Sequence, residues 1–450
     1  MTYFLFRIIS VLLLSTVFCF AHQRVVQKPL SDPDLSTIIY RKAIQYLDHL
    51  ESLHFSEAAS MLYEGFPQDK IVAQLRETWT NLISSRGRFI KLEQLSLYKS
   101  GRDYHLYCQL LHEKQNIGLN LNFNQSLSIT KFAFIPINQV PKSPKPKIPY
   151  DRPANYSIQK VKIGSQKYPL KSKLFLPKQA LNPPVVIFTH DFGPQDLEHR
   201  TGVNGFFKDI AVGLASNGIA CLLFPKRSSE YSPLSNQLIN PSWEVIEDIY
   251  NAIFQIKAIP ATHHSQLILL SYGFSSYFVP YISRKKLFNG YVLLNPSFRH
   301  PIDILFEIEE FYKSKANDPL SAAKYTEELF KRTQLVHKKQ LSRNEILFNY
   351  PVAYFYSLTK FQPTPIEANE VSEPFLSLFA NKDFASNPAD PQLVNAILKK
   401  ASHQTESFPR LNRIFHIGEG KNPRQDFFTP GVVSAHAIGR IKRFVSELTQ

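Results

Sequence analysis

The sequence predicts an α/β domain built on a parallel sheet, preceded by a smaller α+β domain. Three observations carry this. From residue 156 onward, short apolar runs alternate with amphipathic helical patterns, the mark of a parallel sheet covered on both faces. Before residue 138 the hydrophobic period changes once, from helical spacing to alternation. Between them, residues 141–153 (PKSPKPKIPYDRP) hold five prolines and four lysines or arginines and can join neither a helix nor a central strand. The chain therefore divides into a leader at 1–21, a small domain at 33–138, a linker at 139–155 and the α/β domain at 156–450.

The leader holds one cation, Arg7, then an apolar run over 8–20. Cys19 and Ala21 place small residues three before and one before His22. This pattern reads as a signal peptide, with an uncleaved N-terminal anchor as the alternative. A lipoprotein cut at Cys19 conflicts with the bulk of Phe18 before it. The expected location is secreted, periplasmic or on the cell envelope.

In the small domain, Ile39, Ala43, Tyr46, Leu47 and Leu50 predict a helix over 35–53, with Asp32 and Asp34 as candidate caps. Further helices are expected over 55–63 and 69–84. Alternating patterns then predict strands over 89–98, 104–111, 117–124 and 127–134, an antiparallel meander. This order resembles the cone-shaped, nuclear-transport-factor-like domains that precede secreted α/β-hydrolases, with Trp79 and Gly87-Arg88-Phe89 as the cue.

In the α/β domain, edge strands are expected over 158–163 and 170–176, and a buried strand over 185–189. A helix over 206–216 ends near Gly218. Then come strand 219–224, helix 243–256, strand 267–270, helix 274–282 and strands 291–294 and 375–379. Phe444 and Val445 lie in a terminal helix. An insertion at about 296–373 carries helical patterns over 306–314, 321–333 and 348–357, rich in aromatic residues and lysine.

The run 185–196 (VVIFTHDFGPQD) resembles the oxyanion-hole loop of serine esterases with an HGSGPxD-like motif. Residues 204–209 (NGFFKD), 213–219 (GLASNGI) and 226–228 (KRS) continue the likeness. Together they cover most of residues 155–447 and resemble the α/β-hydrolases of the esterase and acyl-peptidase type. The resemblance implies an α/β-hydrolase fold with the insertion as a helical lid. It also implies an oxyanion loop at His190, Asp191, Phe192 and Gly193. Such enzymes need a nucleophile on a strained strand-to-helix turn, a histidine and a carboxylate.

The turn should follow strand 267–270. Centred on position 273, it has Ser271 and Ser275 as small neighbours and places Gly273 where the nucleophile belongs. Centred on Ser271, it has Gly273 after it but Leu269 before it. The resemblance places a triad aspartate at Asp383, which otherwise reads as an exposed loop residue. The family's Asn-His-Leu-Phe pattern reads Asn412-Arg413-Ile414-Phe415, so Arg413 replaces the histidine. A guanidinium cannot serve as a general base near neutral pH. His416 and His436 are the nearby histidines that a rebuilt loop would need. Asp191 replaces a glycine, and its charge would oppose a developing oxyanion. Pro225 stands where the family has an acidic residue. A salt bridge between Asp383 and Arg413 is the expected consequence.

Composition excludes other classes. The net charge of +15 is spread along the chain, with 142–147 as its densest cluster, so an anionic envelope surface is a candidate partner and nucleic acid is not. Cys108 and Cys221 sit in apolar strand patterns and read as buried free thiols. The adjacent pair His263-His264 is a poor metal site, and neither metal nor cofactor is expected. Three readings stay open. One is a catalytically inactive hydrolase-fold protein that binds an apolar or acyl ligand or a partner. Another is a serine hydrolase with a displaced site at Ser271, Asp383 and His416. The third is a structural, basic envelope protein.

Overall fold

The computed structural model describes residues 28–29, 33–64, 67–142, 147–231, 240–314, 319–420 and 422–449. The expected leader, the candidate cap Asp32 and part of the linker lie outside them. The chain forms two compact units, residues 1–144 and 145–450.

In the first unit, helices Pro33–Glu51, Phe55–Ser60 and Gln68–Arg86 precede strands Phe89–Ser100, Asp103–His112, Ile117–Phe123 and Ile129–Ile135. The strands pair in chain order as an antiparallel meander, and Lys28–Pro29 adds to its first strand. The second helix stops at Ser60, short of the expected 63, because Leu62 bridges to Ile129. Trp79 packs on Phe89 with ring centroids 6.4 Å apart, and Gly87 ends its helix at φ 79°. Alternation along Asp103–His112 buries every second side chain, which is how one sheet face takes the helices.

The second unit is built on an eight-stranded sheet among the described residues. From edge to edge it runs Tyr156–Ile163, Leu170–Pro177, Ala220–Leu223, Val185–Thr189, Leu267–Tyr272, Gly290–Leu294, Phe375–Lys382 and His403–Asn412. Only Leu170–Pro177 runs against the others. It was expected at an edge. It lies second, because its buried side chains pair on both sides, with Ala220–Leu223 and with the true edge strand Tyr156–Ile163. The exchange of the third and fourth strands, the antiparallel second strand and the helical crossovers define the α/β-hydrolase fold.

Alternate residues of the central strands feed two cores. Ile187, Leu222, Leu269 and Leu293 face one cluster, and Val186, Phe188, Ile268 and Leu270 face the other. Helices Phe206–Ala215 and Ala435–Leu448 cover the second face, and Asp248–Ala258 covers the first. Cys108 and Cys221 are buried free thiols. The insertion folds as helices Pro301–Lys313, Pro319–His337 and Val352–Ser357. The last was expected to begin at 348. Phe348 and Asn349 instead adopt φ 51° and 64°, in a tight turn between Ile346–Leu347 and Tyr350–Pro351.

Candidate functional site

The strand Leu267–Tyr272 runs two residues beyond its expected end and delivers Gly273 to the turn. Gly273 has φ 53°, the left-handed region, and a 3-10 turn, Gly273–Phe278, follows it. The turn is locked from below. The Tyr272 N–H donates to Ser275 Oγ at 3.0 Å, and Thr189 Oγ1 donates to the same oxygen at 3.0 Å. Ser271 and Ser275 are buried beneath the turn, as the small-neighbour rule requires when it is centred on Gly273.

The N–H after the turn, on Phe274, would be one oxyanion donor in a hydrolase of this fold. Here it donates to Asp191 Oδ1 at 2.9 Å. A Cβ built on Gly273 would collide with the same carboxylate. Asp191 thus takes the donor and also the space of a nucleophile side chain. Its other oxygen accepts from Arg413 Nη2. Arg413 Nη1 donates to Asp383 Oδ1 and Oδ2 at 3.0 and 2.8 Å. The salt bridge expected between Asp383 and Arg413 is present, and Asp191 extends it to a three-residue chain.

Arg413 is placed by its neighbours. Asn412 Oδ1 accepts the N–H groups of Ile414 and His416, closing a tight loop. The Arg413 carbonyl accepts from Asn295 Nδ2 at 2.9 Å and from the Tyr272 hydroxyl at 3.2 Å. Its guanidinium lies over the Tyr272 ring, 5.6 Å from the centroid. Burial pushes the Asp191 carboxyl up, but the Arg413 charge and the Phe274 N–H outweigh it, so its pKa falls below the ordinary value. Burial disfavours the Arg413 charge, and the two carboxylates outweigh it, so the guanidinium stays ionised.

The expected oxyanion loop is arranged around this chain. His190 is buried between His199, on its Nδ1 at 3.1 Å, and the Phe224 carbonyl. Burial lowers the pKa of both rings, His199 to about 3, so both are neutral. Phe192 packs edge-on against Phe274 and at a tilt against Tyr350, with centroids 5.1 and 4.6 Å away. Gly193 has φ 84°. Lys226 donates to the Asp191 carbonyl at 3.1 Å and pairs with buried Glu244 at 3.5 Å. Glu244 reaches it from a wide π-type turn, Ser242–Glu247, and also binds Ser228 and Tyr354.

The displaced site at Ser271, Asp383 and His416 is not assembled. Ser271 Oγ lies 3.0 Å from Thr189 Oγ1, inside the sheet. The His416 ring is buried against Gly431 without a hydrogen-bond partner among the described residues. It does not line the cavity that Asp383 and Arg413 line. His436 is exposed and faces Glu406 at 3.2 Å. Residue order alone could not reveal that Tyr272, Asn295 and Lys226 support the centre, or that Asp191 caps Phe274.

Above Gly273 and Arg413 is a cavity of about 240 Å³. Asp191, Tyr272, Asp383 and Arg413 form its polar floor, and Phe274, Ile304, Leu305, Ile308, Phe384 and Phe427 its apolar walls. The lid helix Pro301–Lys313 supplies three of these. Ser297 and Arg299 anchor the lid entrance through Asp390, at 2.6 and 2.8 Å.

The chain resembles an esterase along nearly its whole length. It is 24% identical over 412 residues to Esterase EstD of Thermotoga maritima, spanning 90% of this chain and 95% of that protein. Among solved structures, Est1E from Butyrivibrio proteoclasticus matches with a TM-score of 0.40 and 12% identity, over 64% of this chain and 97% of that one. The Pyrococcus furiosus esterase PF2001 matches with a TM-score of 0.42 and 10% identity, over 69% and 97%. No family model matches the chain.

Proposed function

We propose that this chain is a catalytically inactive member of the α/β-hydrolase fold that binds a small apolar or acyl molecule in the cavity above Gly273. One observation carries the reading. The Asp191 carboxylate occupies both the Phe274 N–H and the volume a nucleophile side chain would need. Acyl transfer through this turn requires that oxygen-binding donor to be free and a reactive atom beside it. The chain offers neither. The apolar walls over a polar floor remain, which is the composition of a small-molecule site.

The reading includes a location outside the cytoplasm, supported by Arg7 and the apolar run over 8–20. The net charge of +15 favours an anionic envelope surface as the setting. The first unit, with its helices followed by a meander, serves in this reading as a nuclear-transport-factor-like module that presents or supports.

The similarity to Esterase EstD favours a second reading, an active esterase. Two measurements on the full chain separate the readings. Turnover of p-nitrophenyl butyrate is followed against a blank, and 1-hexanol is titrated calorimetrically. The first reading expects no turnover and saturable binding that Ile304→Trp abolishes by filling the cavity. Turnover above the blank that is lost in Ser271→Ala would establish the esterase. Absence of binding would overturn the ligand reading.

A further inference from the structure

The lid brings together a second group of side chains far from Gly273 in the sequence. His300 is the N-cap of helix Pro301–Lys313, Asp303 lies in its first turn, and His337 is the last residue of helix Pro319–His337. Phe306 packs on Phe330 at 5.5 Å while Asp303 meets His337, so the two helices run antiparallel. One end of the pair therefore gathers two imidazoles and a carboxylate. Their candidate ligand atoms all lie within 4.8 Å of one another.

His300 Nδ1 accepts the Ile302 N–H at 3.3 Å, which leaves the ring proton on Nε2, so Nδ1 would exchange this long cap bond for the metal. The main chain of Phe355 lies beside the same ring, and outer contacts of this kind orient a ligating imidazole. His337 Nε2 lies 2.7 Å from Asp303 Oδ1. Tetrahedral zinc ligands at about 2.0–2.1 Å from the metal sit roughly 3.3 Å apart. Side-chain rotations of about an ångström would close the set. An exposed Asp–His pair alone contributes little to stability, and it would not call for the His300 ring 5.1 Å from His337.

The geometry points to a zinc-type divalent cation held by His300, Asp303 and His337, with a coordination position open to the neighbouring cavity. That cavity, of about 410 Å³, is lined by both histidines together with Tyr277, Phe298, Phe355 and Lys339. Three protein ligands of this type leave room for a water or a ligand atom on the metal. This would be a second site on the lid, independent of the centre at Arg413.

The test uses the full chain and Zn²⁺ alone, by equilibrium dialysis with metal analysis, and Co²⁺ as a visible-absorption probe. One Zn²⁺ per chain is expected, with a tetrahedral Co²⁺ spectrum. Affinity should fall at least about tenfold in His337→Ala and in Asp303→Asn. Both positions are partly exposed, and circular dichroism verifies their folding. The double variant His263→Ala/His264→Ala, on the loop, should bind as the parent does. Substoichiometric uptake, uptake that survives His337→Ala, or uptake lost in the loop variant would each overturn the site.

Discussion

One guanidinium between two carboxylates holds the centre together. Arg413 neutralises Asp191 and Asp383 in a place where neither could stand alone. Arg413→Ala is expected to cost about 3–5 kcal/mol at neutral pH, because it leaves two buried charges unpaired. The pH dependence should also change sign. With Arg413 present, the Asp191 pKa is depressed, so its contribution is intact above the ordinary carboxylate range and is lost as pH falls below it. Without Arg413, burial dominates and raises the pKa. Stability should then fall as pH rises through the range above about 4. Urea unfolding between about pH 2 and 7 reads both signs. Wild-type stability of Arg413→Ala at pH 7 would remove the guanidinium from its assigned role.

Gly273 allows a second test at the same scale. Gly273→Ser introduces a side chain at φ 53° into the Asp191 carboxylate. The expected loss is about 1–3 kcal/mol from strain and overpacking. Asp191→Gly in the same chain should return part of it, a coupling that a double-mutant cycle measures. Additive effects would mean that the two residues do not share the site. Gly273, Asp383 and Arg413 were legible in the sequence because each falls in register with a family motif. The position of Asp191 was legible, but its action was not. Its bond to Phe274 joins residues 83 apart, and no local pattern encodes that contact.

Among the elements, most strands were readable because continuous apolar runs have one stable use in an α/β domain. The strand His403–Asn412 was missed. It lies at the sheet edge and reads HQTESFPRLN, mostly polar and half exposed, with no apolar run to mark it. The turn Ser242–Glu247 was read as ordinary helix, since a π-type turn has the same apolar spacing over so few residues. That turn matters because it aims buried Glu244 at Lys226, which in turn fixes the Asp191 backbone. Lys226→Met should therefore destabilise by about 3–5 kcal/mol by stranding Glu244. The double change Lys226→Met/Glu244→Gln should cost much less, as both charges leave together. Chemical denaturation distinguishes them, and equal losses would indicate that Lys226 acts through packing alone.

Across the whole molecule, the chain is similar to an esterase over 90% of its length, and at the centre of its α/β unit Arg413 bridges Asp191 and Asp383. The two units each carry a core of their own, Tyr46 and Trp79 in the first and the two faces of the large sheet in the second. The two units divide near residue 144, within the proline-rich run, where proline at that density prevents a helix or central strand from extending through it. The lid was visible as an insertion, but its contents were not. His300 and His337 meet only once two helices pack. In the proposed reading, Gly273 and Asp191 close this site to serine chemistry. Fluorophosphonate labelling of the folded full-length chain, beside Ser271→Ala and Ser275→Ala, tests it most directly. No covalent label on the parent protein is the expected result; a label that disappears in Ser271→Ala would contradict it and restore a working serine hydrolase.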